Sequence, residues 1–479
     1  MGLFTLVLEV PPEAGYSSLV RTFTLEAAGL ADVETARRAT LAEAAALGCE
    51  TIIAQAMAES RTPIKITAHA DGSGLTLSLL ERGLPLDDAA SARDHRWSAL
   101  LEAVDACGWR SHGTGGSELR MHVATKPPES GEATEDAIDP HDSHEEPARA
   151  PAPHAYTYRR FEPEDAAQVV RIFYRTYGYH YTPSLFYDPR ALARANAEGR
   201  YVSFVAEAEN GEIAAHYAIR PDNAATGEGC AAVVLPEHRG HDVITQVRAA
   251  AEDGARAMGL SGYYTEPVTT HAFTQKASEH FGAVCCAIVL GASPSGLRPS
   301  HMDVTITDQR QSLTFYAKML REIPARTIYA PPRYADVIAG RFARLGVAAT
   351  LREGAPPDGR GAFSVSFANG KASGAITVTE IGTDTATRVR QATADLRNVR
   401  HAKAIFARLP LDDPGTPALA DAMEADGFFF GGVQPLVLDG GRDALLLQMN
   451  LTHIDTAKLS IAGDDAKALL AFVVAQRGV

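Results

Sequence analysis

The stretch C-A-A-V-V-L-P-E-H-R-G-H-D-V, residues 230–243, decides the fold. Cys230–Leu235 is a short apolar run of the length expected for one buried strand. Pro236-Glu237-His238-Arg239-Gly240-His241-Asp242 then turns the chain into a helix expected over Val243–Met258. A second strand is expected at Gly262–Thr265, a second helix at Phe273–Phe281 and a third strand at Val284–Leu290. A turn that opens a helix is an anion site, because the first helical N–H groups lack intrahelical partners and the helix dipole adds positive potential. Asp242 places a carboxylate in that turn and is expected to act as the helix N-cap.

This order, with the phrase V-L-P-E-H-R-G at 234–240, resembles the core of the GNAT acyltransferase superfamily. The resemblance implies that the turn binds the pyrophosphate of acetyl-CoA or another acyl-CoA. It assigns Val234, Leu235, Arg239, Gly240, His241 and Val243 to the cofactor, with Thr274 and Gln275 beside its thiol arm. Two family positions depart from the pattern, since Asp242 stands in place of a glycine and Ile244 in place of a small residue. Such chemistry needs a base for the acceptor amine and an acid for the leaving thiolate. The candidate bases are His216, Glu228, Glu266 and His271, and the candidate acid is Tyr264 or its neighbour Tyr263. The tyrosine that the family often places four residues before its late glycine is missing here: Ser278 and Met423 hold those places.

The 479 residues call for about three domains. The chain is 46% hydrophobic with a mean hydropathy of −0.11. With no apolar run of membrane-spanning length, no membrane partner is expected. The opening Met1-Gly2-Leu3-Phe4-Thr5 has no basic region, so no signal peptide is expected and the reading is cytoplasmic. Five cysteines without C-x-x-C spacing imply a reducing compartment and no metal site. Net charge is −14, and half of it sits in residues 127–153, with eight acidic side chains against one arginine. That balance gives nucleic-acid binding no support.

Residues 1–126 form the first expected unit. A strand at Leu6–Val10 precedes helices at Ser17–Leu30 and Asp32–Glu59, then a hairpin of Ile64–Ala68 and Leu75–Leu80 around Asp71-Gly72-Ser73-Gly74. A helix at Trp97–Ala106 and a strand near Glu118–Val123 close it. This order, with L-G-C-E-T-I-I-A-Q-A and E-R-G-L-P-L-D, resembles the GHKL ATPase fold in its anti-sigma-factor serine kinase branch. Ala54 replaces the asparagine that the resemblance assigns to Mg²⁺, and Glu81 replaces the adenine-binding aspartate. Asp94-His95-Arg96-Trp97 stand where the family has its Gly-rich lid. ATP is therefore not expected, and the unit reads as a scaffold that can meet a protein partner.

Residues 127–153, rich in Pro, Glu, Asp and Ala, read as an extended linker. Residues 154–297 hold the GNAT-like domain. Its early helices carry Phe173, Tyr174, Tyr177, Tyr179, Tyr181, Phe186 and Tyr187, which would line an acceptor pocket. Residues 298–479 resemble a second, worn copy: a hairpin of Phe363–Phe367 and Gly374–Ile381, a helix at Ala386–Val399, a strand at Ala404–Leu409, a helix at Pro417–Ala425, and strands after Gly427-Phe428 and at Leu445–Met449. The expected fold is α/β (α+β): a GHKL-like sandwich followed by two GNAT-like mixed-sheet domains. The expected activity is transfer of an acyl group, acetyl first, to the amine of a small-molecule or amino-acid-like acceptor. The alternative is a non-catalytic regulator built from decayed GNAT and GHKL domains.

Overall fold

A computed structural model describes residues 3–56, 60–85, 104–124, 155–181, 183–294 and 309–477. The expected linker, the segment Asp94–Trp97 and most of the expected helix Trp97–Ala106 lie outside these residues. The last residue of that helix, Ala106, instead begins a strand.

The first unit is a two-layer sandwich. Strands β1 (Phe4–Val10), β2 (Ile64–Ala70), β3 (Gly74–Glu81), β4 (Ala106–Ser111) and β5 (Ser117–Ala124) form an antiparallel sheet in the order β1-β2-β3-β5-β4. Helices α1 (Ser17–Leu30) and α2 (Thr35–Ala56) cover one face. Alternation in β2 and β5 sends Ile64, Ile66, Leu119, Met121 and Val123 into this core, where they meet Leu41, Ala45, Cys49 and Ile52 of α2. Gly48 lets α2 settle on the sheet, because a Cβ there would come within 2.7 Å of Leu119.

The rest of the chain builds one twelve-stranded mixed sheet. Its first seven strands are β6 (Tyr156–Arg160), β7 (Val202–Ala208), β8 (Ile213–Pro221), β9 (Gly227–Val234), β10 (Gly262–Thr265), β11 (Val284–Ser293) and β12 (Gln311–Met319). They lie in the order β6-β7-β8-β9-β10-β12-β11. Strand β12 lies past the anticipated 297/298 division and yet fills the slot between β10 and β11. The unit that starts near residue 154 therefore needs residues up to Met319 to complete its sheet. Helices α3 (Ala166–Tyr177) and α4 (Pro189–Ala197) pack on one face, and α5 (Val243–Ala257) on the other. Helix α6 (Phe273–His280) links β10 to β11.

A short pair, β13 (Arg326–Ile328) and β14 (Ala349–Leu351), brackets helix α7 (Ala335–Arg344). Strands β15 (Ala362–Ala368), β16 (Ser373–Glu380), β17 (Ala404–Pro410), β18 (Phe429–Leu438) and β19 (Arg442–Asn450) follow. Helix α8 (Thr385–Asn398) joins the parallel pair β16 and β17, as α5 joins the parallel pair β9 and β10. Helix α9 (Thr416–Ala425) leads into β18, and α10 (Asp464–Ala475) packs on β11 and β18 near the end. The order β15-β16-β17-β19-β18 repeats that of β8-β9-β10-β12-β11, including which pair is parallel.

The two series join edge to edge at one antiparallel register, Ala287 opposite Gly432. A side chain at residue 432 (φ 135°) would come within 2.3 Å of the Cys286 carbonyl, so glycine allows the contact. Beyond this point the strands part, and fully buried Gln448 spans the gap. Its Nε2 donates to the Ile288 carbonyl at 3.0 Å, and its Oε1 accepts the Leu290 amide at 2.8 Å. A single apolar core runs from Tyr264, Phe315 and Ala287 to Phe430 and Leu446.

Candidate active site

Strands β9 and β10 share only one register pair, Glu228 with Tyr264, and then diverge. Paired neighbours in a sheet point to the same side, so Glu228 and Tyr264 face the same crevice. Further along β9, the pairing with β8 slips between His216 and Ala218, where Ala231 takes φ 54°. That bulge re-aims the strand just before it reaches the turn.

The turn between β9 and α5 leaves several backbone amides without backbone acceptors among the described residues. The Leu235 amide still donates to Ala214 at 2.9 Å, closing the β8–β9 ladder. Buried His238 anchors the loop, its Nδ1 2.9 Å from the Tyr156 hydroxyl and its Nε2 3.3 Å from Glu212. Arg239, Gly240, His241 and Asp242 are exposed, and Gly240 has φ 86°. The amides of Gly240, His241, Asp242, Val243 and Ile244 donate to no backbone carbonyl among the described residues. The next two, Thr245 and Gln246, turn back to Asp242. These amides and the Arg239 guanidinium can hold a pyrophosphate. Val234 is half-buried and Val243 buried at the same place.

Asp242 corrects the N-cap expectation. It adopts the left-handed conformation (φ 57°), its carboxylate makes no cap bond, and it accepts Gln246 Nε2 at 3.3 Å. Asp242 thus takes a backbone shape that glycine adopts freely, at a steric cost that Asp tolerates better than most residues.

The acid–base candidates separate. Glu228 is half-buried and accepts Arg220 Nη2 at 2.6 Å. Burial, and then the neighbouring Glu266, push its carboxyl up to about 7. Glu266, just past β10, is also raised, chiefly by burial and against the pull of Arg408, Lys371 and Arg220. Tyr264 donates to Asp222 and stacks on Phe315 with ring centres 4.6 Å apart; burial, then Glu266 and Glu228, raise its hydroxyl. The structure therefore brings Glu228, Glu266 and Tyr264 together. It excludes His216 as a base. That ring is fully buried, 5.6 Å from Phe173 and 5.7 Å from Phe186, and burial lowers it to about 4. Its Nδ1 lies 2.9 Å from the Ala231 carbonyl, so His216 braces the bulge instead. Tyr263 points to the other face, between Arg248 and Glu252.

Gln275 is a second correction. It is fully buried, its Nε2 donates to Val268, His271 and Ser460, and its Oε1 accepts Ala462 N–H at 2.9 Å. With its polar atoms engaged, Gln275 ties the end of the chain down and has none left for a cofactor. Thr274 is exposed on the first turn of α6, its carbonyl accepting Ser278 Oγ.

The aromatic cluster divides in two. Phe173, Tyr177, Tyr181 and Phe186 stack inward over His216, with Phe173 and Tyr181 centres 4.9 Å apart. Tyr179 instead donates to the Gly83 carbonyl at 2.8 Å, and Arg171 to the Pro85 carbonyl at 3.2 Å. The G-L-P segment of the first unit is thus bound by the second. The neighbouring Glu81 is fully buried and accepts the Gly83 amide, and burial raises it to about 7.

The turn before α8 differs from the turn before α5. Gly382 N–H goes to Thr385 Oγ1 at 2.8 Å and Thr383 N–H to the Gly359 carbonyl at 3.0 Å. The Gly361 amide fills the Asp384 carboxylate at 2.8 Å. Residues 359–361 pack directly against this turn at Gly382.

Sequence reasoning missed Arg220, Asp222, Lys371 and Arg408. Arg220 was within reach, since counting back from the Asp222–Gly227 turn sets it opposite Glu228. Lys371 and Arg408 gave no local signal, because they lie far along the chain from Glu266, on which their charges act.

Residues 166–282 match the model of the Acetyltransferase (GNAT) family, so a GNAT acetyltransferase domain lies there. Among solved structures, a putative GNAT acetyltransferase from Desulfovibrio desulfuricans is 17% identical, with 35% of this chain and 100% of that one covered and a TM-score of 0.28. A putative acetyltransferase from Salmonella typhimurium, solved with its cofactor acetyl-CoA, is 18% identical over 36% of this chain and 97% of that one, with a TM-score of 0.29. A putative phosphinothricin N-acetyltransferase is 22% identical over 35% and 100%, with a TM-score of 0.28. No curated protein matches the chain. No described helix is long and apolar enough to cross a membrane.

Proposed function

We propose that the chain transfers an acyl group, acetyl first, from acyl-CoA to the amine of a small, amino-acid-like acceptor. The observation that carries this reading is the single Glu228–Tyr264 register between diverging strands, followed by a turn of unpartnered amides. The cofactor's pyrophosphate is assigned to the 239–244 turn and its thioester to the gap between β9 and β10. Glu228 takes the proton from the acceptor amine. The nitrogen attacks the thioester carbon, the C–N bond forms and the C–S bond breaks. The thiolate leaves and takes a proton. We assign that donor to Tyr264, its hydroxyl kept protonated by burial.

The recurring strand order supports a tandem pair, with the second copy retired as a cofactor site by residues 359–361. For residues 1–126 we propose a GHKL-like fold serving as a scaffold, supported by the docking of Tyr179 and Arg171 on its G-L-P segment.

Isothermal titration of acetyl-CoA into the wild type and Arg239→Ala tests the reading. Micromolar binding that weakens at least tenfold in the variant is expected. A flat titration with a folded wild-type sample would overturn it.

A further inference from the structure

We propose that the cleft between the first unit and the acetyltransferase domain binds a small aromatic anion, a flat ring carrying one phosphate or carboxylate. This site is separate from the acyl-transfer reading and does not depend on it.

Two segments far apart in the chain build the cleft. Trp109 and Arg110 come from β4, the edge strand of the first sheet. Tyr187, Pro189 and Arg190 come from the start of α4, and Arg194 from one turn further on, on the same face as Arg190. Together they bound a cavity of about 260 Å³. A cavity of roughly 150 Å³ holds benzene, and pockets for drug-sized ligands start at about 300 Å³. The space therefore suits one ring with one small anionic group and is too small for acyl-CoA.

The walls are set by the fold. Tyr187 is buried, its hydroxyl accepting the Tyr181 amide at 2.9 Å and its ring centre 4.9 Å from that of Tyr179. Tyr179 is itself anchored on the Gly83 carbonyl of the first unit. Ser111 Oγ crosses the seam to donate to the Tyr187 carbonyl at 3.3 Å, and it accepts the Gly113 amide at 3.2 Å. A side chain at residue 113 (φ 57°) would come within 2.7 Å of Ser184, so glycine allows this approach. The two walls are thus fixed to each other beside the cavity.

The lining selects an anion. Arg110, Arg190 and Arg194 face the cavity against one carboxylate, Asp188. That carboxylate is used as the cap of α4, where it accepts the Ala191 amide at 3.0 Å. Glu118 stands opposite Arg110 in the β4–β5 register, but its carboxylate is engaged by His112 Nε2 at 2.8 Å. Among the described residues the side chains of Arg110 and Arg194 form no hydrogen bond or ion pair, so both guanidinium groups are open to a ligand. Guanidinium forks match the oxygens of phosphate and carboxylate. A concave surface with this excess of cations, in a chain of net charge −14, draws anions and turns cations away. Trp109 and Tyr187 supply the aromatic surface for the ring.

The test is isothermal titration of phenyl phosphate and of benzoate into the full chain, with neutral benzyl alcohol and cationic benzylamine as controls. The two anions should bind and the two controls should not. Arg110→Met and Arg194→Met should each weaken phenyl phosphate by about tenfold or more, since each removes a charge-assisted contact. Both arginines are exposed, so the variants retain the fold, which thermal melting checks. Arg239→Ala, at the separate 239–244 turn, should leave phenyl phosphate binding unchanged. A preference for one anion over the other names the anionic group and keeps the cleft as its site. The proposal is overturned if the folded wild type binds neither anion, or if it binds the controls equally well. Binding that survives in both cleft variants, or that falls only in Arg239→Ala, overturns it too.

Discussion

Replacing Glu228 by Gln keeps the shape of the side chain and an acceptor for Arg220 but removes the group proposed to take the amine proton. The wild-type carboxyl, raised to about 7, is roughly one-tenth ionised at pH 6 and nine-tenths ionised at pH 8. Base catalysis through it should therefore rise about tenfold across that interval and level off above it. Loss of a positioned base costs about 10²- to 10⁴-fold in rate. Acceptor amines also lose a proton as pH rises, which would tilt any profile. The useful quantity is therefore the ratio of wild-type to Glu228→Gln kcat/KM at each pH, from which acceptor ionisation cancels. That ratio should grow from pH 6 to 8 and then flatten. Arg220→Met supplies the control. Losing the cation 2.6 Å away leaves the charged form of Glu228 less favoured, so the midpoint should move to higher pH, by roughly one unit or more. Glu266 and Asp222 push the same way and Lys371 opposes them, so the macroscopic midpoint belongs to the cluster. A ratio that stays below about ten and flat across pH would refute Glu228 as the base.

Asp242→Gly should tighten acetyl-CoA binding several-fold in titration, because it removes a carboxylate from the anion site and relieves about 1 kcal/mol of left-handed strain. Unchanged or weaker binding would place the pyrophosphate elsewhere. Glu81 is raised from an ordinary carboxyl to about 7, so the native state holds an extra proton between about 4.5 and 7 and loses stability as pH rises through that window. The loss amounts to roughly 3 kcal/mol. Glu81→Gln should accordingly raise the melting temperature at pH 8 more than at pH 5, and an equal shift at both would contradict this. Gln448→Ala should cost about 2–4 kcal/mol, since it strands the buried Leu290 amide and Ile288 carbonyl, and should lower the denaturant midpoint accordingly. A loss under about 0.5 kcal/mol would show that the two sheet series are not held there.

Local pattern was enough for most elements. The alternation in β2 and β5, the hairpin signal at Asp71–Gly74, and the strand–turn–helix of residues 227–257 all form near the expected bounds. Strand β12 escaped because its run Gln311–Met319 follows a stretch with no partner nearby in sequence, and its pairing with β10 and β11 is a long-range decision. His216 shows the limit for sites. An imidazole on a strand is a natural base by type, yet a bulge at Ala231 and two aromatic rings made it a brace. Gln275 was likewise a helix-opening residue by position and a tether by contact.

By itself the sequence determined the helix and strand periods and the strand–turn–helix phrase that carries residues 239–244. These depend on residues within one or two turns of each other, where backbone geometry alone fixes who is neighbour to whom. Only the tertiary structure decided that Glu228 meets Arg220 beside Tyr264 and that the G-L-P segment is bound by Tyr179. Those outcomes depend on burial and on contacts between residues far apart in the chain, for which no local pattern carries a signal.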